Sequence, residues 1–183
     1  MTKKLDVNMA DLASALEDTS YEMKHYLDLK TGAIITIHEE LFHELESIYD
    51  EFYDLDDDEA HDKLAMVLQE RRLPEWRLQT LIEADRVERD FGDRYLAIPG
   101  DDVQTAYRDM VKFIGTIRNE VLQESLERAI QGRGAFRYFK DVLYDHPQER
   151  DRWFEFKNKQ LQLRCLDWLA SEGIELVNDP MTH

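Results

Sequence analysis

Two carboxylate–histidine pairs with helical spacing are the residues of this chain that first suggest metal chemistry. Glu40 lies three positions before His43, and Asp58 lies three positions before His61. Residues three apart share a face of an α-helix, and this Glu-x-x-His spacing is typical of the ligands in di-metal helical bundles. The four residues are a candidate metal site that would serve a metal-dependent hydrolase. The alternative interpretation is solvated surface charge, because acidic residues crowd this part of the chain.

A second candidate site lies where two amphipathic helical patterns meet at a pair of glycines. Main-chain N–H groups at a glycine turn that begins a helix bind anions, and neighbouring guanidinium and ammonium groups add charge-assisted hydrogen bonds to a phosphate. The alternative is purely structural, with glycines that permit a sharp corner and arginines that pair with acids such as Asp141. The candidate anion site consists of Gly132, Arg133, Gly134, Arg137 and Lys140.

Residues typical of covalent catalysis are not arranged for it in this sequence. Cys165 stands between Arg164 and Leu166 without a neighbouring histidine, which favours a buried apolar role over a nucleophile. The sequence has no nucleophile elbow, P-loop, Cys-x-x-Cys pair or dinucleotide fingerprint. We therefore assign no catalytic residue and no cofactor.

The metal candidates fall on helices that follow a predicted hairpin. β-Branched residues at 34–37 and the turn at Gly32 predict strands over 21–27 and 33–37. Apolar residues at steps of three and four predict a helix over 39–53, a second that holds Leu64 and Leu68, and a third that begins after Pro74. Arg94 to Ile98 is expected to add a strand to the hairpin.

The glycine corner is expected to join helices in the second half of the chain. A helical pattern from Asp101 to Ile130 weakens near Gly115 and Asn119, where we expect a break. After the corner, Phe136, Phe139 and Leu143 predict an apolar face, and Pro147 suits the start of a further helix. We expect that helix to bury Phe154, Leu161, Cys165 and Leu169. The tryptophans are also expected to be core residues, namely Trp76, Trp153 and Trp168.

These patterns predict an α+β fold that is predominantly α-helical, with a small antiparallel sheet built from the N-terminal hairpin and one or two short strands. A length of 183 residues suits a single domain over 1–183. Within it we distinguish an N-terminal part with the hairpin and the acidic helices (1–92), a C-terminal helical part (93–177) and a tail (178–183). A short amphipathic helix capped by Asn8 and a last strand after Gly173 complete the expectation.

The net charge of −17 excludes some partners. A large negative field repels polyanions, so nucleic acid is not expected to bind. Residues 37–70 hold thirteen acids and one base, Lys63, whereas residues 131–165 hold eight bases and five acids. No apolar run is long enough to span a bilayer, and the first residues lack the apolar segment of a signal peptide. We therefore expect a cytoplasmic protein without membrane contact.

Several segments of the chain resemble one bacterial family. They are residues 129–141, which read AIQGRGAFRYFKD; residues 152–157, which read RWFEFK; Arg94 to Pro99; and Tyr26 to Asp28 with Thr31 and Gly32. Together they resemble the bacterial uncharacterised protein family number 0158 of the UPF series. The resemblance implies no activity and no site residue. The acidic stretch near 54–62 is not part of it.

The sequence leads to three hypotheses about function. The first is a non-catalytic cytoplasmic interaction or regulatory protein with an unidentified protein partner, because the chain is acidic and lacks catalytic motifs. The second is a protein that binds a phosphorylated small molecule or nucleotide at the glycine corner. The third is the metal-dependent hydrolase described above.

Overall fold

The computed structural model describes residues 2–52 and 54–177, and most of them are helical. The predicted class is confirmed: the fold is α+β, with helices predominating and a small antiparallel sheet. Position 53, the predicted end of the first acidic helix, and the predicted tail lie outside the described residues. The elements are β1 (Lys3–Leu5), α1 (Met9–Glu17), β2 (Met23–Asp28), β3 (Ile34–His38), α2 (Glu39–Tyr49) with a 3-10 turn (Asp50–Phe52), α3 (Asp57–Glu70), α4 (Glu75–Arg89), β4 (Tyr95–Ala97), α5 (Val103–Ile114), α6 (Glu120–Ala129), α7 (Ala135–Tyr144), α8 (Pro147–Ser171) and β5 (Ile174–Leu176).

Polar side chains fix where several helices begin. Asn8 accepts hydrogen bonds from the backbone N–H groups of residues 10 and 11, as predicted for the cap of α1. Asp56 and Asp102 cap α3 and α5 in the same way. Asn119 caps α6, so the expected break after α5 is confirmed at that residue.

The predicted hairpin is the centre of a three-stranded sheet. Strand β2 pairs antiparallel with β3 on one side and with β4 on the other, so the strand expected after Arg94 is confirmed. Arg94 donates from Nε and Nη2 to the two carboxylate oxygens of Asp28, at 3.0 and 2.8 Å. Asp28 is buried, and Arg94 holds the pKa of its carboxyl down at about 2. A bidentate ion pair therefore joins the hairpin turn to β4.

The Cα positions divide the chain into two compact units. The first comprises residues 2–99 together with 175–177, and the second comprises residues 100–174. Strands β1 and β5 form a separate sheet of two parallel strands. Among the described residues, no helix combines the length and the apolar character needed to cross a membrane.

The core of residues 2–99 lies between the three-stranded sheet and the helices α2, α3 and α4. Leu45, Leu68 and Leu81 have no exposed surface. Tyr95 of β4 and Ile37 of β3 belong to the same apolar cluster. Trp76 was expected to be buried, and this prediction is wrong because the side chain is 66% exposed at the start of α4.

The core of residues 100–174 combines apolar residues of α5, α6, α7 and α8, and the predicted glycine corner joins α6 to α7. Gly132 and Gly134 both have positive φ angles, of 84° and 78°, which a residue with a Cβ atom rarely adopts. Phe139 of α7 is buried, with its ring centroid 4.9 Å from that of Trp153. The predicted burial of Leu161, Cys165 and Leu169 is confirmed.

Two predictions about this core are wrong. Phe136 is 38% exposed, and the buried face of α7 consists of Ala135, Phe139 and Leu143. Phe154 is also exposed, because α8 buries the preceding residue, Trp153, in its place. In each helix only the first predicted position is displaced, by one residue, and the later positions of the stripe are buried as predicted.

Candidate functional site

A groove opens beside helix α2 and the last turn of α4 in the unit formed by residues 2–99. Its three cavities measure about 280, 500 and 610 Å³, and Glu88 of α4 lines all of them. The 280 and 500 Å³ cavities also share Tyr26 and Phe42, while the 500 and 610 Å³ cavities share Tyr49. We call this continuous surface, from Phe91 at one end to Asp58 and His61 at the other, the acidic groove.

Aromatic rings form the floor of the acidic groove. Tyr26 of β2 stands edge-to-face against Phe42 of α2 and against Phe91, with centroid distances of 6.2 Å to each. Further along, Tyr49 of α2 stands edge-to-face against Phe52, at 6.5 Å. Five aromatic side chains from three parts of the chain thus line one groove.

The walls of the acidic groove are negatively charged. Five carboxylates and two basic side chains line it, namely Glu39, Glu46, Asp50, Asp58, Glu88, Lys24 and Arg89. The surrounding unit has the same sign: residues 2–99 contain 25 acids and 11 bases, a net charge of −14 out of −17 for the chain. The acidic groove therefore attracts cations and repels anions.

A hydrogen-bonded cluster lies between the 500 and 610 Å³ cavities. The Tyr49 hydroxyl donates to Oδ1 of Asp85, and Nδ1 of His61 lies 2.6 Å from the Tyr49 oxygen and 3.0 Å from Asp85 Oδ1. Because the hydroxyl proton goes to Asp85, the His61 nitrogen acts as the donor in this arrangement. Asp85 is buried, so these two donors stabilise its charge.

The groove raises the pKa values of three of its groups. Partial burial raises the pKa of Glu88, and the nearby carboxylates of Asp85 and Glu46 raise it further. Burial is also the main cause that raises the pKa of Tyr26 and Tyr49. Both tyrosines therefore stay protonated at neutral pH and act as neutral rings and hydrogen-bond donors, not as bases.

The chemistry of this arrangement is suited to binding cations. Carboxylates supply charge, and aromatic faces attract ammonium and guanidinium groups. Asp85, the buried acid beside the groove, already accepts hydrogen bonds from Tyr49 and His61.

Cys165 lies in the other unit, where burial raises the pKa of its thiol to about 11, so it remains a neutral thiol.

The four predicted metal ligands occupy different parts of this region. His43 lines the 500 Å³ cavity and contacts Glu46 at 3.9 Å, while Asp58 and His61 line the 610 Å³ cavity. Glu40 is exposed beside His38, 4.0 Å away. Within residues 2–52 and 54–177, no three histidine, cysteine or acidic side chains are grouped so that they could hold a metal ion. A metal site at these four residues stays a prediction.

The predicted anion-binding residues lie together on an exposed corner of the other unit. Gly134 begins α7, and Gly132, Arg133, Arg137 and Lys140 are all solvent-exposed. Arg137 lies 3.8 Å from Asp141, which is one of the pairings considered in the structural alternative. Phosphate binding at this corner stays a prediction.

Sequence reasoning did not find most of the groove. It selected His43, Asp58 and His61 for their spacing but did not select Tyr49, Asp85 or Glu88. The spacing of Asp85 and Glu88, three apart on a helix, was a usable signal. The aromatic floor left no such signal, because residues 26, 42 and 91 are brought together only by the sheet and by the end of α4.

The fold and the groove define a mostly helical α+β protein with an acidic cleft. The model of an uncharacterised protein family, UPF0158, matches residues 77–180, which is more than half of the chain. The chain belongs to this family. The matched range begins in α4 and includes Asp85, Glu88 and Phe91, whereas the residues that β2, α2 and α3 contribute to the groove precede it.

Relatives carry the same family name. A UPF0158 protein of Pseudomonas aeruginosa is 22% identical over 173 residues, covering 94% of this chain and 87% of the relative. UPF0158 proteins of Chlamydia trachomatis and Chlamydia muridarum are each 27% identical over 90 residues, covering 46% of this chain. The match spans about a quarter of the length of the Chlamydia relatives, at 26%. No solved structure matches the chain.

Proposed function

We propose that this chain is a non-catalytic cytoplasmic interaction protein that binds a positively charged segment of a partner protein in the acidic groove. The observation that carries the proposal is the lining of the groove, in which five carboxylates and two basic side chains surround an aromatic floor. Lysine and arginine suit such a surface because their aliphatic stems pack on aromatic rings while their charged ends reach carboxylates.

An extended segment fits the acidic groove better than a single small ligand. The three cavities adjoin one another at the last turn of α4, and the carboxylates are spread along them: Glu39 and Glu46 line the middle cavity, and Asp58 lines the last. Several cationic side chains on one segment can therefore be bound at once. Charge complementarity of this kind speeds encounter and selects against acidic partners.

The proposal is tested by the binding of a labelled lysine- and glycine-containing peptide, measured by fluorescence anisotropy. Changing Glu46→Gln together with Glu88→Gln removes two charges from the groove and keeps the side-chain shapes. We expect the dissociation constant to rise by about two- to tenfold, because each exposed charge pair contributes about 0.2–1 kcal/mol.

The matched control is the double change Glu127→Gln with Glu155→Gln. These residues are exposed in the other unit, so this variant loses the same net charge away from the groove. We expect the control to bind the peptide nearly as tightly as the unchanged chain. Equal weakening in both variants would mean that net charge alone attracts the peptide, and the groove would be rejected as the binding surface.

A further inference from the structure

We propose that the Phe91 end of the acidic groove is a binding site for an alkylated ammonium group. The site is the 280 Å³ cavity, which is lined by Tyr26, Phe42, Val87, Glu88 and Phe91. The inference rests on the groove of the proposed function and names the chemical group that one end of it would select.

The geometry of the three rings carries the inference. Tyr26 is nearly perpendicular to both of its neighbours, with interplanar angles of 74° to Phe42 and 90° to Phe91. Perpendicular rings at a centroid distance of 6.2 Å form a corner with walls in different orientations. An ammonium group whose charge is spread over methyl groups can contact several rings at once, and such aromatic cages recognise quaternary ammonium ligands.

Phe91 is placed at the mouth of the cavity by the turn after α4. The helix ends at Arg89, and Gly92, with a φ of 84°, donates a hydrogen bond to the Tyr95 carbonyl at 3.0 Å. Phe91 is 58% exposed while its ring stays against Tyr26. A large aromatic side chain held open to solvent beside two others is the arrangement of a binding surface, not of a core.

The polar groups of the cavity favour an alkylated cation over a primary one. Among the described residues that line the cavity, Glu88 is the only carboxylate, and it supplies one negative charge. Three of the other four lining residues are aromatic, so a primary ammonium would lose more water here than it regains as hydrogen bonds. An alkylated ammonium has fewer N–H groups to satisfy. The Tyr26 hydroxyl remains neutral because burial and the nearby Glu88 raise its pKa.

The volume limits the ligand to a head group. A cavity of about 280 Å³ is at the lower end of the roughly 300–1,000 Å³ of small-molecule sites. The rest of a larger ligand would extend into the adjoining 500 Å³ cavity, which shares Tyr26, Phe42 and Glu88. The cationic group is either free or carried on a lysine side chain of the segment bound in the groove, and the experiment separates the two sources.

The test is a titration of the full chain with tetramethylammonium chloride, followed by the NMR signals of the Tyr26 and Phe91 rings. Neopentyl alcohol is the uncharged probe of similar shape, and sodium chloride controls for ionic strength. We expect tetramethylammonium to shift both rings and neopentyl alcohol to bind more weakly. Equal binding of the two probes, or no shift with tetramethylammonium, would overturn the inference.

Phe91→Leu is the decisive variant, and Phe154→Leu is its control. Both phenylalanines are more than half exposed, at 58% and 53%, but Phe154 lies in the other unit. We expect Phe91→Leu to weaken tetramethylammonium binding by about two- to fivefold and Phe154→Leu to leave it unchanged. Unchanged binding to Phe91→Leu contradicts the inference. If Phe91→Leu fails to fold, Glu88→Gln supplies the test, since loss of the carboxylate must also weaken binding.

Two peptides distinguish this inference from the proposed function. One contains trimethyllysine, and the other contains lysine at the same position. Tighter binding of the methylated peptide places the ammonium group on the bound segment, whereas equal peptide binding together with tetramethylammonium binding identifies a free ligand. Peptide binding without tetramethylammonium binding rejects the inference and leaves the proposed function standing. Tetramethylammonium binding without peptide binding rejects the proposed function and leaves the inference standing.

Discussion

Specific hydrogen-bond donors stabilise the charges of the acidic side chains that are buried in this chain. Asp28 is held by Arg94 and by the backbone N–H of Lys30, whereas Asp85 is held by Tyr49 and His61. In the other unit, Arg164 donates to Asp109 at 2.9 Å and to Asp101 at 2.8 Å. Because a buried charge without a partner is costly, these acids contribute to stability only while their donors are in place.

The first prediction concerns the ion pair of Asp28. Its folded pKa of about 2 lies below its ordinary value of 3.8, so the stabilisation is fully present above pH 3.8 and is lost as the pH falls through about 2. We expect Asp28→Asn to lower the free energy of unfolding at neutral pH by about 2 kcal/mol. Urea unfolding at a series of pH values measures this difference, which should shrink below about pH 4.

Asp93→Asn is the control for the Asp28 prediction. Asp93 is exposed and immediately precedes Arg94, so its replacement changes the charge of the chain equally. We expect its effect on unfolding to stay within about 0.5 kcal/mol. A difference between the Asp28→Asn variant and the unchanged chain that did not depend on pH would show that the ion pair is not its source.

At the scale of elements, the corner between α6 and α7 places α7 against α8, with the ring of Phe139 beside that of Trp153. The ring of Phe113 on α5 lies 6.3 Å from Phe139 and 5.3 Å from Trp153, so helices α5, α7 and α8 share one aromatic cluster. Burying such side chains contributes more to stability than the helix propensities of the separate segments. The corner therefore matters mainly because it positions Phe139.

The second prediction compares the two phenylalanines of α7. Phe139 is 1% exposed and Phe136 is 38% exposed, although they lie three residues apart on the same helix. We expect Phe139→Ala to lower the free energy of unfolding by about 3–5 kcal/mol and Phe136→Ala by about 1 kcal/mol or less. Denaturant unfolding followed by tryptophan fluorescence measures both. Similar losses in the two variants would contradict the buried stripe described here.

The sequence was sufficient to predict most elements but not which of two adjacent apolar residues is buried. The hairpin turn, the Asn119 break and the glycine corner each have a local cause, such as a cap or a positive φ, that is visible in the sequence. On α7, by contrast, Phe136 and Ala135 both fit a helical stripe with Phe139. The choice between them depends on how α7 is rotated against its neighbours, and a single helix pattern does not contain that information.

The whole molecule has a strongly uneven charge. Residues 2–99 have a net charge of −14, and residues 100–183, with 15 acids and 12 bases, have a net charge of −3. The sequence alone shows this asymmetry, because residues 37–70 hold thirteen acids and one base. The acidic groove itself could not be predicted, because its aromatic floor combines residues from β2, α2 and the turn after α4, which are up to 65 positions apart.

The third prediction is that peptide binding in the acidic groove depends on salt. Raising sodium chloride from about 0.05 M to about 0.5 M shortens the Debye length severalfold, so the dissociation constant should rise on the order of tenfold. The Glu46→Gln and Glu88→Gln double variant, with fewer charges to screen, should show a shallower dependence. Fluorescence anisotropy at a series of salt concentrations measures both slopes, and binding that ignores salt would exclude an electrostatic mechanism.

The pairing of β1 with β5 has a consequence for any attempt to divide this chain. The strand that pairs with residues 3–5 comes from residues 174–176, which begin at the last residue of the second unit. A truncation after Pro99 would therefore leave β1 without its neighbour. A fragment that carries the groove and the whole of its unit therefore has to join residue 99 directly to residue 175. In such a fragment, residues 100–174 are removed as an insertion between two pieces of one unit.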